Sequence, residues 1–321
     1  MAGLLGAFQG KVHISFKLDG AEGRRTVTMK RGATRQAEKL PLFREGETVA
    51  GTVVITPTSA RRVEHQGLKI ELLGQAELLS ERGAAYNFVS LSRNLSNEGI
   101  LDRPAKFTFE FPSVEMPYES YSGMHVRVRY LLRVTFARQY GMSQTESLEL
   151  WVRNPEALPE VNNPIKMEVG IEDCLHIEFE YSKAKYHLRD VVVGKIYFLM
   201  VRIHIKHMEI EIKRRETTGT GGSQHSESET VAKYEVMDGE PASRECIPIR
   251  LYLSNYDLTP SYGNVLNKFS VRYFLQLVLI DEEDRRYFKQ QEITLFRKDD
   301  AAGDTPLASP QAASAATVAS E

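Results

Sequence analysis

Apolar and polar residues alternate along most of this chain, and that period of two constrains its fold more than any other feature. In the first such segment Val12, Ile14 and Phe16 share one face, while His13 and Ser15 share the other. A strand buried on one side produces this pattern, because successive side chains of a strand point to opposite faces. The same alternation predicts further strands in the first half, at residues 48–55, 68–72, 107–111, 126–136 and 148–152.

The alternation stops after the single tryptophan, Trp151, and Pro155, Pro159 and Pro164 follow in a stretch without periodicity. Such a composition is typical of an extended connector. Alternation then resumes and predicts strands at residues 167–171, 175–181, 203–205, 208–212, 247–253, 269–280 and 287–296. We therefore predict an all-β protein with two antiparallel β-sandwich domains, at residues 1–153 and 165–299, joined by a linker at 154–164.

Three further segments lack the strand pattern. Residues 300–321 are rich in Ala, Ser and Thr and predict a disordered tail. Residues 217–229 are rich in Gly, Ser and Thr and predict a mobile loop. The acidic run from Asp281 to Asp284 predicts a solvated hairpin tip between two strands.

Charge and cysteine content narrow the class of function. The 41 Lys and Arg residues nearly balance 43 Asp and Glu residues, and the net charge of −2 argues against nucleic-acid binding. The two cysteines, Cys174 and Cys246, predict neither a disulfide framework nor a cysteine-built zinc site and fit a reducing compartment. The apolar run at 196–201 is far shorter than a membrane helix, so any membrane role is expected to be peripheral.

Motifs that carry chemistry are weak in this sequence. The glycine-rich residues 219–223 lack the Lys-Ser/Thr pair of a phosphate loop. His204 and His207 are three apart, which on a strand places them on opposite faces rather than around one metal ion. We predict no catalytic residue, no cofactor and no metal site, and this favours a binding protein over an enzyme.

One apolar pair lies beside a turn signal. Val236 and Met237 directly precede Asp238 and Gly239, a dipeptide that favours a turn. The pair could anchor a partner from a protruding loop, because methionine adapts to uneven apolar surfaces. It could equally finish a strand and face the core. The pattern alone leaves both interpretations open.

Long strings of this sequence resemble the vacuolar protein sorting-associated protein 26 family, the arrestin-like subunit of the retromer coat. The strings that carry the resemblance are EHQGLKIELLGQAELL at 64–79, PYESYSGMHVRVRYLL at 117–132, IKMEVGIEDCLHIEFEY at 165–181, VGKIYFL at 193–199, RRETTGTG at 214–221, AKYEVMDG at 232–239 and KFSVRYFLQLVLIDEEDRRYFKQQEITL at 268–295. They are long enough to be highly specific, and together they span nearly the whole chain except its tail.

The resemblance implies an arrestin-like pair of β-sandwiches and a non-catalytic coat subunit. It implies that Val236, Met237, Asp238 and Gly239 contact retromer's α-solenoid subunit. It further implies that the region of Val169 and Phe288 meets sorting nexins and the cytoplasmic tails of membrane cargo. The expected setting is cytoplasmic and peripheral on endosomes, in retrieval of cargo to the Golgi or to the cell surface.

Two other functions remain as alternatives. A β-sandwich hydrolase or carbohydrate-binding module would show a pocket in which catalytic or sugar-binding groups converge. A free arrestin-type adaptor would work without the coat and would not co-purify with it. An apolar tip at Val236 and Met237, lying outside any pocket, would favour the scaffold.

Overall fold

The computed structural model describes residues 12–31, 36–58, 62–79, 84–138, 142–171, 174–219, 224–242 and 244–299. Within these ranges the chain forms strands and short turns, and no α-helix. The predicted all-β class is confirmed, and the antiparallel sheets are consistent with the predicted arrestin-like β-sandwich domains. The predicted tail at 300–321 lies outside the described residues.

The strands of the first half lie between residues 12 and 152. They are β1 (Val12–Leu18), β2 (Thr26–Arg31), β3 (Gln36–Phe43), β4 (Val49–Pro57), β5 (Val63–His65), β6 (Gly67–Leu78), β7 (Ala84–Ser96), β8 (Gly99–Leu101), β9 (Ala105–Phe111), β10 (Tyr121–Ser122), β11 (Val126–Ala137) and β12 (Gln144–Val152). One sheet has the order β1-β4-β9, and a larger one has the order β2-β3-β12-β11-β6-β7, with β10 beside β11. Strands β5 and β8 form a separate pair.

These two main sheets enclose one apolar core. The inward face of the small sheet supplies Val53 and Ile55, and that of the large sheet supplies Ile70, Leu132 and Val134. All five are fully or almost fully buried. The alternation in the sequence therefore corresponds to two sheets packed face to face, as in a sandwich.

The strands of the second half lie between residues 165 and 296. They are β13 (Ile165–Ile171), β14 (Leu175–Tyr181), β15 (Lys185–His187), β16 (Val191–Val201), β17 (Ile205–Thr218), β18 (His225–Asp238), β19 (Cys246–Tyr252), β20 (Tyr262–Val265), β21 (Phe269–Asp281) and β22 (Arg286–Phe296). One sheet has the order β13-β14-β16-β19, and the other β15-β22-β21-β17-β18, with β20 beside β21. Ile177, Phe179 and Ile196 of the first pack with Ile210 and Leu275 of the second in one core.

The two halves share part of that second core. Ala76, Leu78, Tyr121, Val126 and Val128 belong to the first half but are buried in the same cluster as the second sandwich. Polar contacts join the halves as well. The guanidinium of Arg297 lies 2.8 Å from a carboxylate oxygen of Glu119, and both side chains are largely buried.

The predicted loop at 217–229 is wrong for most of its length. Strand β17 continues to Thr218 and β18 begins at His225, with Thr217 paired to Ser226. Serine and threonine here bond across the strands: the hydroxyls of Thr217 and Ser226 are 3.0 Å apart. A composition rich in hydroxyl residues indicates a loop only when the backbone has no strand partner, and here it has one.

The acidic turn also differs in part from its prediction. Asp281 is 2% exposed, whereas Glu282, Glu283 and Asp284 are exposed as expected. The Asp281 carboxylate accepts hydrogen bonds from the backbone amides of Glu283 and Arg285, at 3.0 and 2.9 Å. Asp281 is buried because its carboxylate holds the backbone of the turn, whereas the side chains of the next three residues lie on the surface of the turn.

Candidate partner-binding edges

The predicted anchor residues lie at the end of an edge strand. Among the described residues, β18 pairs with β17 alone, so its other side faces away from the sheet. Met237 lies opposite Met208, but the register shifts at the next pair and leaves Val236 without a directly opposed residue. Such a bulge twists an edge strand and redirects its side chains.

Val236 and Met237 are half-buried and pack against the second core. Their position falls between the two interpretations that the sequence left open, because each side chain touches the core and also reaches solvent. Asp238 and Gly239 are exposed. Together these four residues form a tip with an apolar base, which we call the β18 tip.

Gly239 ends the strand with a conformation that favours glycine. Its φ is +107°, and its amide donates to the carbonyl of Lys206 at 2.9 Å. A side chain at this position would be strained, although a Cβ would have open space. The turn therefore fixes the direction in which the β18 tip points.

Two histidine–carboxylate pairs lie near the tip. His204 Nδ1 lies 3.2 Å from Glu240, and His207 Nε2 lies 3.7 Å from Glu209. The hydrogen bond with Glu240 raises the pKa of His204. The two histidines thus face different carboxylates, and the tip combines a small apolar centre with a polar rim, as partner-binding surfaces do.

The other predicted site lies on strand β13. This strand pairs only with β14 among the described residues, which leaves its outer backbone edge open. Val169 lies opposite Ile177 and is half-buried against the second core. A cleft that spans β13, β14 and β16 is lined by Lys166, Met167, Glu168, Glu178, Phe179, Glu180 and Tyr197.

Phe288 lies in the opposite sheet of the same sandwich, on β22. It is 62% exposed. On the side away from β21, β22 pairs with β15 only from Thr294 to Phe296. Within the described part of the chain, the stretch that carries Phe288 therefore offers a second open edge.

The Asp281 turn positions this stretch of β22. Besides the two turn amides, the carboxylate accepts from Arg285 Nε at 2.6 Å and from the Tyr287 hydroxyl at 3.0 Å. Burial opposes ionisation of the carboxyl, but the bonds from Arg285 and Tyr287 outweigh it and lower its pKa. Sequence analysis did not identify Asp281 as the residue that holds this turn. The only signal in the sequence was its position, at the end of an apolar strand and the start of an acidic run.

The two predicted sites are separate. In the six-stranded sheet, β22 and β18 lie toward opposite ends, with β21 and β17 between them. The residues of the β18 tip are brought together in one turn, whereas Val169 and Phe288 lie in different sheets. The β18 tip and the stretch that carries Phe288 are therefore separate places on one sandwich.

Two groups of side chains in the described residues bring metal-ligating atoms within 4.8 Å of one another. One consists of His125, His225 and Glu227, and the other of Glu168, His176 and Glu178. Sequence analysis predicted neither group. The first group joins residues about one hundred positions apart, which no local pattern can indicate. In the ranges that the structure describes, no helix is long and apolar enough to cross a membrane.

Comparison with known proteins gives a consistent result. The sequence model of the vacuolar protein sorting-associated protein 26 family matches residues 8–284. Vacuolar protein sorting-associated protein 26B of Arabidopsis thaliana is 56% identical over 299 residues, covering 93% of this chain and 98% of the relative. The proteins of that name from Danio rerio and Homo sapiens are 55% and 53% identical, each covering 91% of this chain and 88% and 87% of the relative.

Proposed function

This chain belongs to the vacuolar protein sorting-associated protein 26 family, and from that premise we propose that it is a non-catalytic subunit of the retromer coat. In this role it binds the α-solenoid subunit and, together with sorting nexins, recruits the cytoplasmic tails of membrane cargo for retrieval from endosomes. The observation that carries the proposal is the match over nearly the whole chain to relatives named for protein sorting. Those names describe sorting proteins rather than enzymes.

The β18 tip is the proposed contact with the solenoid subunit. Its half-exposed Val236 and Met237 supply apolar area, and the neighbouring histidine–carboxylate pairs supply a polar rim. Anchors at the centre of such a surface carry most of the binding energy. The exposed Asp238 and the turn at Gly239 give the solenoid direct access to the tip.

The open edges of β13 and β22 are the proposed contact with a sorting nexin and cargo. An extended peptide that adds to a sheet edge satisfies its backbone hydrogen bonds there, and side-chain pockets select its sequence. The cleft that spans β13, β14 and β16 is the proposed side-chain pocket, and the exposed Phe288 is a proposed apolar contact. We expect weak binding by cargo alone, because ordering a free peptide is opposed by its conformational entropy.

We further infer that the two sandwiches act as domains, at residues 1–153 and 165–299, with the connector at 154–164. The chain would then work in the cytoplasm and reach endosomes through the assembled coat. Cargo tails, which lie on the cytoplasmic side of the membrane, would approach the edge of the second domain.

Calorimetry with the purified solenoid subunit tests the proposal. Met237→Asp places a charge at the centre of the contact, and we expect a loss of about 2 kcal/mol or more, roughly thirtyfold in Kd. Met142→Asp is the matched control, because Met142 is 90% exposed in the first half and lies outside the tip. It should leave the affinity unchanged.

Because Met237 also touches the core, folding must be checked for this variant. Asp238→Lys changes an exposed residue of the same turn and should weaken binding without lowering the melting temperature. If wild-type protein fails to bind the solenoid subunit, the coat assignment fails and a free arrestin-type adaptor becomes the better account. If it binds but both tip variants bind equally well, the tip is not the contact.

A further inference from the structure

His125, His225 and Glu227 come together at the surface where the two halves of the molecule meet. His125 lies between β10 and β11 of the first half, whereas the other two lie on β18 of the second. The Nε2 atom of His125 bonds to a carboxylate oxygen of Glu227. The Nε2 atom of His225 lies 3.8 Å from the same oxygen, and the two imidazole rings are nearly perpendicular, with centroids 5.6 Å apart.

The backbone around His125 is held in place by the second half. A buried carboxylate, that of Glu216, accepts from the amides of Met124 and His125 at 3.0 and 2.7 Å. On the other side, the carbonyl of His125 accepts from the amide of Leu79 at 2.8 Å. The first ligand of the cluster is therefore fixed from both directions.

The strand pairing fixes the other two ligands. His225 and Glu227 are two residues apart on β18, so their side chains share one face. Glu227 lies directly opposite Glu216 on β17, and Glu216 is the residue that holds His125. One pair of strands thus positions all three ligands.

We propose that His125, His225 and Glu227 form a binding site for a divalent transition-metal ion of the zinc class, which joins the two halves of the molecule. Two imidazole nitrogens and one carboxylate are a ligand set that zinc accepts, with a fourth position left to water. In a tetrahedral site with bonds of about 2.0–2.2 Å, ligand atoms lie roughly 3.3 Å apart. The ligand atoms here already lie within 4.8 Å of one another.

The contacts of the cluster converge on one carboxylate. Nε2 of His125 and Nε2 of His225 both approach the same oxygen of Glu227. A metal ion would take the place of the direct contact between His125 and Glu227 with a bond to each. It would also draw in His225, which otherwise only approaches the pair.

The second cluster, Glu168, His176 and Glu178, is a poorer match and provides the comparison. It contains one imidazole and two carboxylates, and His176 Nε2 lies 4.0 Å from Glu168. Its three residues lie on one hairpin, β13 and β14, and do not join the halves. Zinc should therefore prefer the first cluster.

Titration of the full chain with zinc chloride, followed by calorimetry, tests this site. We expect one equivalent of Zn²⁺ to bind, and the affinity to fall about tenfold or more in His125→Ala and in His225→Ala. His176→Ala and His204→Ala are matched controls that remove other surface histidines and should leave this binding unchanged. Mg²⁺ should not compete, because it prefers oxygen ligands in an octahedral arrangement.

A second readout tests the coordination and the link between the halves. Co²⁺ in the wild-type site should give the visible absorption of a tetrahedral ion, and His125→Ala should abolish it. Zn²⁺ should also raise the melting temperature of the wild type and not that of His125→Ala, since it binds only the folded arrangement. The proposal is overturned if Zn²⁺ still binds stoichiometrically to the His125→Ala, His225→Ala double variant. It is also overturned if His176→Ala abolishes the binding, or if Mg²⁺ displaces the bound Zn²⁺. So would the absence of binding to the wild type. None of these outcomes bears on solenoid binding, so this site stands or falls apart from the proposed function.

Discussion

At the scale of single residues, one buried carboxylate organises the junction between the two halves. Glu216 is 1% exposed and accepts hydrogen bonds from the Tyr121 hydroxyl and from two backbone amides of the first half. A buried carboxylate is stable only when it is bonded in this way. Gly123 leaves the space that the carboxylate occupies.

Replacement of Gly123 by alanine is therefore expected to destabilise the protein. A Cβ at this position would lie 1.8 Å from Glu216 Oε1 and 2.5 Å from the Tyr121 hydroxyl oxygen. We expect the free energy of unfolding to fall by about 1–3 kcal/mol, measured by denaturant unfolding. Gly263→Ala is the control, because a Cβ there has no neighbour within 4 Å. Equal stability of the two variants would mean that the junction is looser than described.

Asp281 makes stability depend on pH. Its pKa in the folded chain is below the usual value for aspartate, because bonds from Arg285 and Tyr287 outweigh burial. Its contribution is therefore complete above the unfolded pKa and is lost as the pH falls through the folded pKa. We expect Asp281→Asn to lower the melting temperature at pH 7, with the difference from wild type shrinking below about pH 4. Asp284→Asn, in the exposed part of the same turn, is the control and should leave the melting temperature nearly unchanged at either pH. If the difference in melting temperature between wild type and Asp281→Asn grows as the pH falls, Asp281 does not contribute in this way.

At the scale of strands, alternation in the sequence predicted many of those with one buried face, although β16 has that burial pattern and was not predicted. Strands β1, β4, β11 and β14 follow the predicted alternation closely. Most of β7 is exposed or half-buried, so it carries no period-two signal, and it was not predicted. Ile205, the end of the segment predicted at 203–205, and the segment predicted at 208–212 belong to one strand, β17, which begins at Ile205. A register shift between Ile205 and His207 interrupts the alternation of this strand.

The open edge of β13 supplies an element-scale prediction. Backbone donors of a strand alternate between its two sides, so Glu168→Pro and Val169→Pro together test both sides. The proline that faces outward should weaken the complex with sorting nexin and cargo while leaving the fold intact; the one that faces β14 should lower the melting temperature. Val169→Thr keeps the amide and the branched shape and is the control. Binding that is unchanged in the well-folded proline variant would rule out edge pairing.

Phe288 provides the side-chain counterpart on β22. Phe288→Ala should weaken the same complex by about 1–2 kcal/mol in calorimetry, because it removes an exposed apolar side chain from the open stretch of β22. Leu158→Ala is a suitable control, since Leu158 is similarly exposed at 59% but lies in the connector. A loss of equal size in the control would indicate a general effect rather than a contact.

At the scale of the whole molecule, the local pattern of the sequence did not reveal how the two halves join. Tyr121 and Glu216 are 95 residues apart in the chain, yet the Tyr121 hydroxyl donates a hydrogen bond to the Glu216 carboxylate. No local periodicity encodes such a pair, whereas each strand's buried face is encoded locally. The candidate binding residues were accessible to sequence reasoning only through the family resemblance, because an edge strand is defined by its neighbours in the sheet.

The arrangement of sheets also bears on the proposed function. The β18 tip and the open stretch of β22 lie toward opposite ends of one sheet, so two partners can bind without competing for the same strand. A subunit that links a coat to its cargo requires such a separation. The account therefore predicts that solenoid binding leaves the β13 and β22 edges accessible.

Hydrogen exchange of the full chain, with and without saturating solenoid subunit, tests whether the β18 tip is the contact with that subunit. We predict that the solenoid slows exchange at residues 233–239, in the second half of β18 and its tip, and leaves β13 and the Phe288 stretch of β22 unchanged. Protection that instead appears at β13, or that is absent from the β18 tip in a complex shown to be formed, would contradict the account.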